Sequence, residues 1–168
     1  MRIPDAEHDD LSLGERPLIV CDIDEVVLEF VTPFQAYLVH NGHELRPTSF
    51  RLNGNVFNRN DGAETPDDEV ARLLEDFFAC QDGWQTAVIS AADSLSRLSG
   101  QADIVFLTAM PPRHRAVRRQ LLSRHGFDYP MIATEAAKGP AVQAPRSSWA
   151  VSMSPSTCSP FPSRSRRA

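Results

Sequence analysis

Leu18-Ile19-Val20-Cys21-Asp22-Ile23-Asp24-Glu25 sets the frame for the rest of the chain. Four apolar residues in a row behind Pro17 suit a strand buried on both faces, although periodicity alone does not separate such a run from a buried helical segment. The run ends abruptly in acidic side chains, Asp22 and then Asp24. In an open parallel sheet ligands gather at the carboxyl ends of the strands, so polar residues that close a buried strand are the first candidates for chemistry.

Outward from that segment, apolar strands and amphipathic helices alternate. Pro33 opens a helical stretch with Phe34, Tyr37 and Leu38 on one face and Asn41-Gly42 as its stop. Phe50-Arg51-Leu52 and Asn55-Val56-Phe57 flank Asn53-Gly54, the preferred dipeptide of a two-residue turn, and predict a small hairpin. Thr65 is placed to cap a helix with Pro66 at its first position. Asp67, Asp68 and Glu69 fill the first turn, where negative charge suits the helix dipole. Val70, Leu73, Leu74, Phe77 and Phe78 continue it as an apolar stripe at helical spacing.

A further helix is predicted from Gln85 to Leu98, with Gly100 just beyond its end. Ile104-Val105-Phe106-Leu107 is a second buried-strand candidate, closed by Thr108. A helix from Arg113 to His125 has Val117, Leu121 and Leu122 as its stripe and Gly126 as its stop. Met131-Ile132-Ala133 reads as a third strand, and Lys138 begins or precedes one more helical stretch. Such alternation implies an α/β fold, an open parallel sheet with helices on both faces.

The strand-closing positions carry the candidate chemistry. A carboxylate at a strand end, such as Asp22, can attack phosphorus covalently, and one two residues on, Asp24, lies within reach to give and take a proton. Two carboxylates so close repel and invite a divalent cation or a lysine, and an oxygen-rich site suits magnesium. Thr108 and Ala109 lie where a strand end precedes a helix start, a position that offers donors to a phosphate. Lys138, the single lysine of the chain, can neutralise the charge that develops in phosphoryl transfer.

These residues resemble the haloacid dehalogenase superfamily, whose first motif is an apolar strand followed by Asp-x-Asp-x-Thr or Asp-x-Asp-x-Val. Leu18 to Val27 match it through Asp22-Ile23-Asp24-Glu25-Val26. The second motif, a strand ending in Thr or Ser, looks like Ile104 to Thr108, and the third, a lysine before a helix, looks like Glu135-Ala136-Ala137-Lys138-Gly139. The resemblance spans about residues 17–144 and implies a Rossmann-like sheet with a small cap or insertion at about 43–84. It also implies a magnesium-dependent, phosphatase-like hydrolase that acts on a small phosphorylated molecule through an aspartyl-phosphate. Asp22 would be the nucleophile, Asp24 the general acid and base, and Thr108, Ala109 and Lys138 the phosphate-binding residues. Asp22 and Asp24 would hold Mg2+.

The family's fourth motif, one or two further acids closing a later strand, has no counterpart, because all 22 acidic residues lie at or before Glu135. Trp149-Ala150-Val151-Ser152-Met153 stands about where that strand belongs but ends in serine and proline. From Pro145 to Ala168 the chain turns rich in Ser, Pro and Arg, which reads as disorder foreign to the fold, as a shift of reading frame would produce. The alternative this raises is a catalytically impaired protein of the same fold, binding phosphate, metal or a partner.

Composition sets the remaining bounds. At 168 residues with 42% hydrophobic positions, one domain can bury a core without disulfides or structural zinc, behind a polar leader over residues 1–16. Cys21, Cys80 and Cys158 form no Cys-x-x-Cys pair, and the leader is acidic where a secretory signal is basic and apolar, so a reducing, cytoplasmic setting is expected. No apolar run reaches the roughly 18 residues of a membrane span. Arg113, Arg115, Arg118, Arg119 and Arg124 read as a solvated helix face, with no nucleic-acid partner expected. The five histidines lack metal-ligand spacing, and Trp84 reads as packing.

Overall fold

A computed structural model describes residues 6–8, 16–49, 51–134 and 151–153. In chain order its elements are β1 (Ala6–His8), β2 (Leu18–Asp22), α1 (Val31–His40), β3 (His43–Leu45), β4 (Val56–Asn58), α2 (Asp67–Ala79), α3 (Ala91–Ser99), β5 (Asp103–Thr108), α4 (Arg115–Arg124), β6 (Met131–Thr134) and β7 (Val151–Met153). The fold is α/β. The order of the main sheet is β1-β6-β5-β2-β7; β6, β5, β2 and β7 are parallel, and β1 lies antiparallel on the outer edge of β6. The chain steps from β2 to β5 to β6 in one direction, whereas β7 lies on the opposite side of β2. Connectivity therefore reverses at β2, and its carboxyl end is the topological switch point at which such sheets hold ligands.

Strand periodicity divides the apolar side chains between two faces. Cys21, Ile104, Phe106 and Met131 pack with Ala91 and Leu95 of α3, Leu121 and Leu122 of α4, and Phe127. Leu18, Val105, Leu107 and Ile132 form a cluster on the other face that includes no described helix. Helices on both faces were expected; among the described residues, α3 and α4 cover one.

A second apolar cluster joins Phe34, Tyr37 and Leu38 of α1 to Val70, Leu73, Phe77 and Phe78 of α2, with Val56, Met110 and Ala133. Phe77 stands edge-on to Phe34 at 5.2 Å between ring centres, an arrangement that aromatic quadrupoles favour. Because Met110 and Ala133 lie at or just past the carboxyl ends of β5 and β6, this cluster sits over the end of the sheet that carries Asp22. The stretch read as a cap or insertion thus shares its core with α1, which precedes it.

Several local readings are corrected. The hairpin pairs β4 with His43–Leu45, not with residues 50–52, because the buried Asn55 gathers the intervening loop: its Oδ1 accepts from the Thr48 N–H at 2.9 Å and its Nδ2 donates to Ser49 Oγ at 2.9 Å. Asn53-Gly54 does turn, with Gly54 at φ 80°. Thr65 does not cap α2, since its hydroxyl pairs with His43 Nδ1 at 3.0 Å, and the helix begins at Asp67 after Pro66. Helix α3 starts at Ala91 and not at Gln85, because Ala87 bridges Leu28 and the Val88 N–H is taken by the Val27 carbonyl at 2.9 Å. Ala6–His8, within the supposed leader, adds a strand, and Val151–Met153, within the supposed foreign tail, pairs with β2 as Ile19 beside Val151 and Cys21 beside Met153. The rest of that tail, Glu135 and Lys138 with its helix lie outside the described residues.

Candidate active site

The chain leaves β2 through a single tight turn. The Ile23 carbonyl accepts the N–H groups of Val27, at 2.8 Å, and Leu28, at 3.0 Å. Glu25 takes the left-handed conformation, φ 63°, which costs a non-glycine residue about 1 kcal/mol or more. Its carboxylate is repaid in position: Oε1 accepts the Phe30 N–H at 2.8 Å and the Val31 N–H at 2.6 Å. Those are orphan donors at the start of α1, where Phe30 has no side-chain acceptor to offer. The turn thereby fixes α1 relative to Asp22 and Asp24.

Asp22, half-buried, closes β2 beside Leu107 of β5, and its Oδ1 accepts the Ile23 N–H at 2.8 Å. Asp24 lies at the centre of a buried polar network. Its Oδ1 accepts from Arg118 Nη1 at 2.7 Å and from Gln85 Nε2 at 3.3 Å, and its Oδ2 accepts from the Thr108 hydroxyl at 3.2 Å. The Asp24 side chain is 23% exposed and that of Arg118 is 0%. Arg118 is further oriented by Nε–H donation to Gln81 Oε1 and by its position over the Phe78 ring, 5.7 Å from the centroid. Gln81 is held in turn, its Nε2 donating to the Phe78 carbonyl at 2.6 Å.

Arg118 was assigned to a solvated helix face, and the structure overturns that assignment. A signal was present: Arg118 lies three and four residues before Leu121 and Leu122, and so shares their apolar stripe. A charge on such a stripe needs a buried partner. Gln81 and Gln85 carry no comparable signal, because neutral amides are common at surfaces.

Of the residues singled out from sequence, Asp22, Asp24 and Thr108 come together, and exposed Ala109 follows Thr108. The Thr108 hydroxyl is fully buried and turned toward Asp24. Cys21, adjacent to Asp22, is no competing nucleophile. Burial pushes its thiol up to about 11, with the Asp22 charge adding to the effect, so it stays neutral.

Magnesium is commonly held by one or two carboxylates, with water and substrate phosphate completing its shell. Asp22 fits that role. Asp24, read from sequence as a second ligand, has its carboxylate committed to Arg118, Gln85 and Thr108. No group of three or more His, Cys, Asp or Glu suited to a metal ion occurs among the described residues. No described helix is long and apolar enough to cross a membrane. Comparison of the chain with protein-family models, with curated proteins and with solved structures finds no match.

Proposed function

We propose that the chain is a magnesium-dependent, phosphatase-like hydrolase of haloacid dehalogenase type, acting on a small phosphorylated molecule in the cytoplasm. One observation carries this reading: Asp22 and Asp24 leave the carboxyl end of the strand where connectivity reverses, and the adjacent strand end brings Thr108 to the second of them. In this reading an Asp22 oxygen forms a bond to phosphorus as the bond to the leaving-group oxygen breaks, and Asp24 gives that oxygen a proton. Water then attacks the aspartyl-phosphate and yields its proton to Asp24, the Asp22–phosphorus bond breaks, and phosphate departs. Ala109 and Lys138 would hold the phosphate, with Thr108 lining the same end of the sheet. Mg2+, held through Asp22, would supply charge stabilisation on the phosphoryl oxygens. Among the described residues Cys21 and Cys80 form no disulfide, which accords with a reducing compartment.

The test is phosphate release from 4-nitrophenyl phosphate by the full chain, with magnesium or with chelator. Magnesium-dependent turnover that Asp22→Asn abolishes supports the reading; turnover that survives the substitution removes it. A second reading, a non-catalytic phosphate- or metal-binding module, is favoured by the engagement of both Asp24 oxygens. A folded natural chain that binds phosphate without turnover would support that one.

A further inference from the structure

We propose that Arg118 and Gln85 are positioning residues that divide the labour of the two Asp24 oxygens, holding Oδ1 as an anchor and reserving Oδ2 as the atom that transfers the proton. The inference rests on the hydrolase reading and goes beyond it, naming a residue of α4 and one of the segment before α3 that aim the acid.

The argument is one of hydrogen-bond inventory. Oδ1 faces Arg118 Nη1 at 2.7 Å and Gln85 Nε2 at 3.3 Å. A guanidinium and an amide nitrogen are donors only, so an oxygen that meets both has no room for a hydrogen of its own. The orientation of the Gln85 amide follows from its second contact, since Nε2 also donates to the Glu29 carbonyl at 2.9 Å, which can only accept. Oδ2 faces the Thr108 hydroxyl at 3.2 Å. A hydroxyl both donates and accepts by rotation, so this oxygen can carry a hydrogen or lose it with its neighbour satisfied either way.

The anchor is itself rigid. Arg118 is fully buried, with its Nε–H on Gln81 and its guanidinium carbon 5.7 Å from the centre of the Phe78 ring, so contacts hold it on more than one side. Among the described residues, two further polar atoms, Arg118 Nη2 and Gln85 Oε1, are buried without a hydrogen-bond partner. Such atoms are retained at a cost of desolvation, which is the usual mark of a constellation kept for geometry and not for stability alone. In the bond-breaking step the electron pair of the phosphorus–oxygen bond goes to the leaving oxygen, which takes the hydrogen from Asp24 Oδ2. In the second step a water hydrogen returns to Oδ2 as water oxygen bonds to phosphorus and the Asp22 bond breaks.

A misplaced acid matters in proportion to how poor the leaving group is. Phenolate is a poor leaving group and 4-nitrophenolate a good one, while the two esters share a ring and a phosphate. The experiment compares kcat/KM for phenyl phosphate and 4-nitrophenyl phosphate in the natural chain, Arg118→Met, Arg118→Lys, Gln85→Leu and Asp22→Asn. Thermal melting of each variant accompanies the assays. Correctly placed acids contribute about 10²-fold or more. Arg118→Met is therefore expected to lose at least tenfold more on phenyl phosphate than on 4-nitrophenyl phosphate. Arg118→Lys should recover part of the difference, and Gln85→Leu should show the same split in smaller measure. Equal losses on both esters, or no loss, overturn the proposal; should Arg118→Met fail to fold, Gln85→Leu and Arg118→Lys decide it by the same split. Turnover of both esters that survives in Asp22→Asn instead overturns the hydrolase reading, a distinct outcome.

Discussion

Nε2 of His114 meets the carboxylate of Glu75, and by that contact the turn leading into α4 is pinned to the middle of α2. Arg113 closes on the same carboxylate, its Nε 2.5 Å from Oε1. Helix α4 carries Arg118 and α2 carries the Phe78 ring that lies against it, so the pin sets the distance between the two sides of the Asp24 network.

That pin makes stability depend on pH in a defined direction. The hydrogen bond from Arg113 holds the Glu75 carboxyl below its ordinary value of 4.5, His114 adds to the effect, and partial burial opposes it. A carboxylate depressed in the folded state contributes stability that is fully present above the unfolded value and is lost as pH falls through the lower, folded one. The melting temperature of Glu75→Gln should lie below that of the natural chain at pH 7, and the gap should close below pH 4.5. A gap that stays constant from pH 7 to pH 3 would show that Glu75 contributes no pH-dependent stability.

Arg118→Met strands the Asp24 carboxylate among buried groups. Removing one partner of a buried ion pair costs about 3 to 5 kcal/mol, and the 23% exposure of Asp24 puts the value near the lower end. At roughly 2–4 °C per kcal/mol for a chain of this size, the melting temperature should fall by about 10 °C. Pairing the change with Asp24→Leu should restore most of the loss, since replacing both partners of a buried pair by apolar groups is often neutral. A double variant no more stable than the single one would contradict this account.

Glu25 should invert the usual ranking of substitutions at an exposed position. Glu25→Ala loses the acceptor for Phe30 and Val31 while keeping the left-handed backbone, and should cost about 1–2 kcal/mol. Glu25→Gly loses the same acceptor but relieves the backbone, regaining about 1 kcal/mol. Urea denaturation should therefore find glycine more stable than alanine here, and the opposite order would place the origin of the turn elsewhere.

The two described cysteines should separate in reactivity. With its thiol raised to about 11, Cys21 has about a thousandth of its population as thiolate at pH 8, and it is 3% exposed. Cys80 is exposed. Iodoacetamide followed by peptide mapping should mark Cys80 in the folded chain and Cys21 only after denaturation. Early labelling of Cys21 would mean that β2 opens readily.

The parts of this protein that were legible in the sequence are those whose cause is local. The runs at Leu18 to Cys21 and Ile104 to Leu107 are short, continuous and apolar, which suits buried strands without excluding buried helical segments, and the structure makes them β2 and β5. The stripe from Val70 to Phe78 specifies α2 by spacing alone. Asp22 and Thr108 stood out because each closes an apolar run, and Asp24 because it follows Asp22 by two residues, properties readable within a few positions.

What tertiary structure decided depends on contacts between distant parts of the chain. Arg118 and Asp24 are 94 residues apart, and Gln85 and Asp24 are 61 apart, so no window of sequence contains either pair. The strand partner of Val56–Asn58 moved from residues 50–52 to His43–Leu45 because buried Asn55 holds the loop shut from within. Residues 6–8 and 151–153, polar or short enough to pass for loop, become strands because the edges of an existing sheet offer them unpaired N–H and C=O groups. Hydrophobic spacing determined the central strands and the amphipathic helices; which charge ends up buried against which was decided only when α4 docked on the sheet and carried Arg118 to Asp24, because a buried ion pair is defined by its partner and not by its neighbours in the chain.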